Sequence, residues 1–141
     1  MEHKTVSSIK NNIIENSHIG KQMADICLSI IDHVSIGSKT RTHLTFKDLH
    51  NLNPNVDEDV FYDAVFYLTR VNVNVLVQQF EALHPRNGFV AVPNRKEIIE
   101  DMRNDELSNP FTGEELSEEE FGKQVITYFS VSPEFMRLSN A

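Results

Sequence analysis

The stretch NVLVQQFEALHPRNGFVAVPNRKE, from Asn74 to Glu97, decides the fold class predicted for this chain. Its first part alternates apolar and polar side chains, as a strand with one buried face does. Asn87-Gly88 is typical of a tight hairpin turn, and the run FVAV that follows is expected to return as a second strand. Asn94, with Glu97 three residues later, matches the capping pattern that begins a helix. The stretch therefore predicts strand, turn, strand and helix.

Upstream, the strongest helical signal is KQMADICLSIIDHV, residues 21–34. Its apolar residues recur at steps of three and four, which gives one stripe that faces a core. Gly37 lies where a helix stop is expected. The first 18 residues carry Val6, Ile9 and Ile13 at helical spacing, so they are expected to form a short helix or an arm that orders on a partner.

Two further helices are expected before the hairpin. Thr45 and Asp48 have the spacing of a capping box, which begins a short helix, and His43-Leu44 just before it predicts a brief strand. A third helix is expected over 57–70, with acidic residues at the positive end of its dipole. The alternating valines of 71–77 then predict that the first hairpin strand begins at once.

The C-terminal part is expected to be helical. Ser117 and Glu120 form a capping pattern, and Phe121, Val125 and Phe129 follow at steps of four. Pro133 is expected to end this helix, and a final turn would carry Phe135. The sequence thus predicts a mainly α chain with a small β-hairpin, an α+β class, in three segments: 1–18, 19–104 and an acidic helical extension over 105–141.

Composition limits the class of protein. Hydrophobic residues make up 40% of the chain and charged residues 24%, as in ordinary globular proteins. No apolar run approaches the roughly 20 residues that a membrane helix needs, so we expect no membrane contact. The only cysteine, Cys27, excludes an intrachain disulfide and fits a reducing cytoplasm.

The net charge of −8 is unevenly distributed. Residues 1–96 carry 10 acidic and 10 basic side chains, whereas residues 97–141 carry 11 and 3. Local charge governs association more than it governs fold, so this asymmetry bears on the partners of the protein.

Motifs for catalysis are missing from the sequence. It has no glycine-rich phosphate loop, no cysteine pair for zinc and no nucleophile elbow. Its six histidines lack the spacing of metal ligands. We therefore expect no enzyme activity, no cofactor, no metal and no small-molecule substrate.

Helix, short strand, helix, turn, helix, strand, wing and strand is the element order of the winged helix-turn-helix superfamily. The chain from about Ile19 to Arg103 resembles this superfamily in pattern. The resemblance implies that the third helix and the wing are the surfaces that contact a partner, and in members that bind DNA the third helix enters the major groove.

The third helix favours a protein partner over DNA. Four acidic residues (Asp57, Glu58, Asp59 and Asp63) stand against one basic residue, and phosphates repel such a helix. Exposed aromatic side chains are typical of protein interfaces, although Phe66 and Tyr67 fit a core role equally well. The candidate interface residues are Tyr62, Phe66, Tyr67, Phe121, Val125, Phe129 and Phe135.

A basic group leaves DNA binding open as the alternative. Arg86 sits beside the hairpin turn, where wings often touch phosphate, and Arg95 and Lys96 follow it. The candidate DNA contacts are Lys39, Arg41, Lys47, Arg70 and Arg86.

Our leading hypothesis from the sequence is a non-catalytic winged-helix interaction subunit of a larger assembly, bound to a protein partner or to a second copy. Its architecture resembles the small winged-helix accessory subunits that accompany ABC-type or chromosome-maintenance ATPases in bacterial DNA-handling and defence machines. The alternatives are a dimeric DNA-binding transcriptional regulator and an inhibitor from a phage or mobile element whose acidic tail mimics nucleic acid.

Overall fold

The computed structural model describes residues 4–16, 18–36 and 43–139. Within them the chain has the α+β architecture expected from its sequence, with seven helices and one small antiparallel sheet. The sheet has three strands in the order β2-β1-β3. The elements are, in chain order, α1 (Val6–Glu15), α2 (Gly20–Ser35), α3 (Phe46–His50), α4 (Glu58–Tyr67), β1 (Leu76–His84), β2 (Gly88–Ala91), α5 (Arg95–Arg103), α6 (Glu118–Gln124), β3 (Val125–Val131) and α7 (Pro133–Ser139).

The chain divides into two compact units. Unit 1 comprises residues up to Val77 and from Phe129 onward, and unit 2 comprises 78–128. Unit 2 is therefore one continuous segment between the two parts of unit 1. These limits cut across the three segments expected from the sequence.

Three helices form the centre of unit 1. The apolar stripe predicted for residues 21–34 is confirmed, because α2 buries Ile26, Ile30 and Val34 and packs against α1 and α4. The N-terminal segment is helical as well: α1 begins at a capping box on Thr5 and buries Ile9 and Ile13. The predicted helix stop at Gly37 lies outside the described residues.

The capping box of α3 is confirmed. The hydroxyl of Thr45 accepts the backbone N–H of Asp48 at 3.1 Å, and the Asp48 carboxylate accepts the N–H of Thr45 at 3.0 Å. The strand predicted at His43-Leu44 is reduced to an isolated antiparallel bridge between Leu44 and Phe129.

The expectation that the chain is extended from Val71 is wrong. Residues 71–73 form a turn, and β1 begins only at Leu76. The carbonyl oxygen of Arg70 accepts the N–H groups of Val73 and Asn74, at 3.0 and 2.7 Å. Asn74 has a φ of 53°, a left-handed conformation that asparagine tolerates better than most residues. The N–H groups of Val73 and Asn74 are therefore bonded within the turn after α4, so they are not available to pair with a neighbouring strand.

The β1–β2 hairpin is confirmed with a shifted turn. Pro85, Arg86 and Asn87 form the turn, and Gly88 is already the first residue of β2, paired with His84. Its φ of 72° is the conformation that glycine permits at this position. The predicted helix after Asn94 also forms, as α5, with the Asn94 side chain as its cap.

The long C-terminal helix predicted from Ser117 to Pro133 is wrong. Ser117 does cap α6, but the helix ends at Gln124 and residues 125–131 form β3. The sequence VITYFSV is rich in β-branched and aromatic residues, which favour a strand. Pairing with β1 therefore outweighs the four-residue spacing of Phe121, Val125 and Phe129.

Unit 2 has its own core. Asn109 holds the loop between α5 and α6 in place. Asn109 is 1% exposed, and its side-chain amide donates to the carbonyl oxygen of Leu83 and to Oε1 of Gln124, both at 2.9 Å. Its Oδ1 accepts the N–H groups of Phe111 and Thr112. The buried core of this unit consists of Phe80, Ala82, Val92, Ile98, Leu116, Phe121 and Val125.

Candidate protein-interaction site

Three aromatic side chains of unit 1 meet at the surface. Phe46, the first residue of α3, lies 5.1 Å from Tyr62 and 6.1 Å from Phe66 between ring centroids, in edge-to-face geometry. Tyr62 and Phe66 stand one helical turn apart on α4, so they share one side of that helix. We call Phe46, Tyr62 and Phe66 the aromatic face.

The aromatic face rests on buried rings. Phe129 is fully buried, and its ring lies 5.1 Å from Phe46 and 6.1 Å from Phe66. Phe61, 1% exposed, lies 5.5 Å from Tyr62. Tyr62 nevertheless remains 38% exposed and Phe66 41% exposed. The aromatic face is therefore an exposed apolar surface whose rings pack on the buried side chains of Phe61 and Phe129.

Acidic side chains flank the aromatic residues along α4. Glu58, Asp59 and Asp63 are exposed, and Asp63 lies between Tyr62 and Phe66 in the sequence. Within the described part of the chain, none of these three carboxylates forms a salt bridge. The outer side of α4 thus combines aromatic rings with negative charges that no cationic side chain of the described residues neutralises.

A groove of about 660 Å³ opens beside Phe66. Phe66 contributes to both the aromatic face and this groove, so the two form one continuous surface of unit 1. Its lining comes from α4 and the residues after it, from the segment between α1 and α2, and from the start of α2. The lining residues are Asn16, His18, Ile19, Met23, Asp63, Phe66, Tyr67 and Arg70.

Tyr67 and Arg70 are stacked on each other in the lining of the groove. Tyr67, a predicted interface residue, is only 6% exposed, and its hydroxyl accepts a 3.0 Å hydrogen bond from Nδ2 of Asn16. The Arg70 guanidinium lies 5.1 Å from the centroid of the Tyr67 ring, a cation–π distance. Arg70, predicted as a DNA contact, therefore stacks on the protein and places a positive charge in the groove, just after the end of α4.

Four other predicted interface residues are buried inside the chain. Phe129 and Phe135 are fully buried in the core of unit 1. Phe121 and Val125 are 9% and 7% exposed in the core of unit 2. Their aromatic and aliphatic character reflects packing within the chain, so they do not offer a surface to a partner.

The candidate DNA contacts that the structure describes are divided between the two units. Lys47 and Arg70 belong to unit 1, whereas Arg86 is an exposed residue in the hairpin turn of unit 2. Lys39 and Arg41 lie outside the described residues.

Sequence reasoning missed two features of the surface. Phe46 is not among the predicted interface residues, although the capping box on Thr45 makes it the first residue of α3. In unit 2, Leu83 and Phe89 are paired across the hairpin and are 39% and 43% exposed. Once the pairing register of β1 and β2 is known, the alternation of side chains between the two faces of each strand places Leu83 and Phe89 side by side.

Unit 2 also contains one perturbed tyrosine. Burial, with a smaller contribution from the charge of Glu81, raises the pKa of Tyr128 above its usual value. Among the described residues, no group of three or more His, Cys, Asp or Glu side chains is arranged to hold a metal ion. No helix within the same residues has the length and apolar character to cross a membrane.

Comparison with known proteins gives no relative: no family model, curated protein or solved structure matches this chain.

Proposed function

We propose that the protein is a non-catalytic interaction subunit with a winged-helix-type domain, and that its aromatic face binds a protein partner. The observation that carries this proposal is the exposure of Tyr62 and Phe66 on top of a buried aromatic cluster. Interfaces are enriched in aromatic residues, and rings already held in place lose little conformational entropy on binding.

The winged-helix assignment is supported by the order of the elements. Helices α2, α3 and α4 precede the β1–β2 hairpin, with the Leu44 bridge between α2 and α3. In this reading α4 is the recognition helix and the hairpin is the wing. The assignment matters because both elements contact partners in that superfamily.

The partner we propose is another protein chain within a larger assembly, with a second copy as the simplest variant. The architectural resemblance to accessory subunits of ABC-type or chromosome-maintenance ATPases suggests where such an assembly operates, namely in DNA handling or defence. Under this proposal the chain contributes contacts to the assembly and carries out no chemical step.

A DNA-binding regulator is the second candidate, and Arg86 is the observation that favours it. Its side chain is exposed at the hairpin turn, where a wing meets phosphates. Glu58, Asp59 and Asp63, which have no salt-bridge partner among the described residues, weigh against this candidate, since they would face DNA phosphates if α4 entered a groove.

Site-specific crosslinking tests the proposal. A photoreactive phenylalanine analogue replaces Phe66 in cells of the native host, and a matched control carries it at Met102 of unit 2, which is 44% exposed. We expect a defined protein adduct from position 66 and none of that mass from position 102. No adduct from position 66, or the same adducts from both positions, would contradict the proposal.

A titration with a duplex of about 25 base pairs at two salt concentrations tests the second candidate. Micromolar or tighter binding that weakens steeply with salt would favour the regulator. Replacement of Arg86 by Ala should then reduce the salt slope, and the interaction subunit would no longer be the best account.

A further inference from the structure

We propose that the partner segment received by the aromatic face is a basic amphipathic helix. Its apolar residues would pack on Tyr62 and Phe66 and enter the adjoining groove, and its Lys or Arg side chains would pair with Glu58, Asp59 and Asp63. This inference rests on the proposed function and specifies the chemistry of the partner.

The spacing of the apolar contacts favours a helix as the occupant. Tyr62 and Phe66 are four residues apart on α4, so they present two rings about 6 Å apart along the helix axis. Side chains three or four residues apart on a second helix have the same spacing, and an amphipathic helix laid in a groove is a recurrent mode of peptide recognition. An extended strand places same-face side chains nearly 7 Å apart and leaves its own backbone groups unpaired here.

The groove beside Phe66 can accept a large side chain. Ile19 and Met23 line the groove together with Phe66, and the volume of about 660 Å³ exceeds that of any single side chain. Methionine adapts its shape to an incoming group. One Leu, Met or Phe of the partner can therefore enter between α2 and α4.

Charge complementarity identifies the partner as basic. Three carboxylates lie within about 12 Å along α4, between Glu58 and Phe66. In the part of the chain that the structure describes, they have no salt-bridge partner. An acidic or neutral segment that covers them would desolvate these charges without compensation, whereas Lys and Arg side chains compensate them.

The charge along the outer side of α4 differs between its two ends, which orients the partner. Arg70 lies over Tyr67 at one end and repels a cation there, while Glu58 and Asp59 lie at the start of α4. The basic side chains of the bound helix are therefore expected over the first turns of α4. The end of the partner near Arg70 carries neutral or acidic side chains.

Selection from a phage-displayed library of random 16-residue peptides tests this inference on the full chain. We expect enriched peptides to combine aromatic or aliphatic residues at helical spacing with a net charge of +3 or more, in keeping with three acidic contacts. Enriched peptides that are neutral or acidic, or an absence of enrichment, would overturn the inference.

Protein variants locate the binding of the best selected peptide, synthesised with a fluorophore. Asp59→Asn and Asp63→Asn should each weaken binding about three-fold, and Phe66→Ala about ten-fold or more. The matched control is Glu118→Gln with Glu120→Gln on α6, which removes two exposed carboxylates from the other acidic segment. Circular dichroism confirms that each variant is folded. Equal loss of binding in the control would show non-specific attraction and overturn the inference.

Salt and competition separate the remaining outcomes. Binding should weaken several-fold between 50 and 300 mM NaCl, since exposed ion pairs are screened. A 25-base-pair duplex should not displace the peptide; displacement would mean that the surface takes nucleic acid and would also overturn the inference.

The two proposals can fail separately. If crosslinking from position 66 captures a protein partner but the selected peptides are not basic, the interaction function stands and its basic-helix form is wrong. If position 66 captures nothing and no peptide is enriched, both are wrong.

Discussion

The backbones of Leu44 and Phe129 form two reciprocal hydrogen bonds, each 2.7 Å between nitrogen and oxygen. This bridge joins the segment before α3 to β3, which are far apart in the sequence. The Phe129 side chain also lies beneath Phe46 and Phe66. Phe129 thus joins the two separate parts of unit 1 through its backbone and supports the aromatic face through its side chain.

Replacement of Phe129 by Ala should therefore destabilise unit 1 strongly. We expect the free energy of unfolding to fall by about 3–5 kcal/mol, as for large aromatic side chains removed from a core. Urea denaturation followed by circular dichroism measures the change. The control is Phe89→Ala, because Phe89 is 43% exposed and should contribute less than about 1 kcal/mol. Similar losses in both variants would argue against this packing.

Replacement of Asn109 by Ala should loosen unit 2. The variant leaves two backbone N–H groups and one carbonyl oxygen without their partner, which costs about 2–3 kcal/mol. Amide hydrogen exchange should accelerate at Phe111 and Thr112. Asn104, an exposed residue at the end of α5, provides the control: Asn104→Ala should leave those amides protected.

The capping box of α3 should make stability depend on pH in the acidic range. The hydrogen bond from the Thr45 backbone, the largest of several causes, lowers the pKa of Asp48 below its ordinary 3.8. A lowered pKa in the folded state means that the contribution is present above the ordinary value and is lost as pH falls through the folded value. Carboxyl NMR titration should show the shift directly.

A variant isolates the second half of the same box. Thr45→Ala removes the hydroxyl that accepts the N–H of Asp48, and it should lower the stability of the chain by about 1 kcal/mol. Helix α3 carries Phe46, so the NMR signals of Tyr62 and Phe66 should shift as well. Unchanged aromatic signals would show that α3 does not position the aromatic face.

The Cys27 thiol should be unreactive in the folded protein. Burial raises its pKa from 9.0 to about 12, so the thiolate is scarce at neutral pH. Ellman's reagent at pH 8 should react only after denaturant is added. The raised pKa also means that stability is retained below pH 9 and declines as pH rises towards 12. Rapid modification without denaturant would show that α2 opens readily.

Local signals predicted the helices and the hairpin well. The caps at Thr45, Asn94 and Ser117 all mark true helix starts, because the hydrogen bonds of a cap involve neighbours in the sequence. The apolar stripe of α2 was equally predictable, since the spacing of its apolar residues follows from the period of the helix itself.

The errors arose where distant partners decide the structure. Val125 and Phe129 fit a helix period and a strand period equally, and only the neighbouring β1 selects the strand. The same limit applies to the site: Tyr62 and Phe66 were predictable as aromatic residues on α4, but the contribution of Phe46 depends on how α3 packs beside them.

The discontinuity of unit 1 affects the order in which the protein matures on the ribosome. The residues of unit 2 are complete once Tyr128 has been synthesised, whereas the core of unit 1 also needs Phe129, Val131 and Phe135. A nascent chain that stops at Tyr128 therefore exposes the apolar sides of α2 and α4. We expect arrested chains of that length to bind chaperones that recognise exposed apolar surface. Chains that include the final helix should no longer bind them.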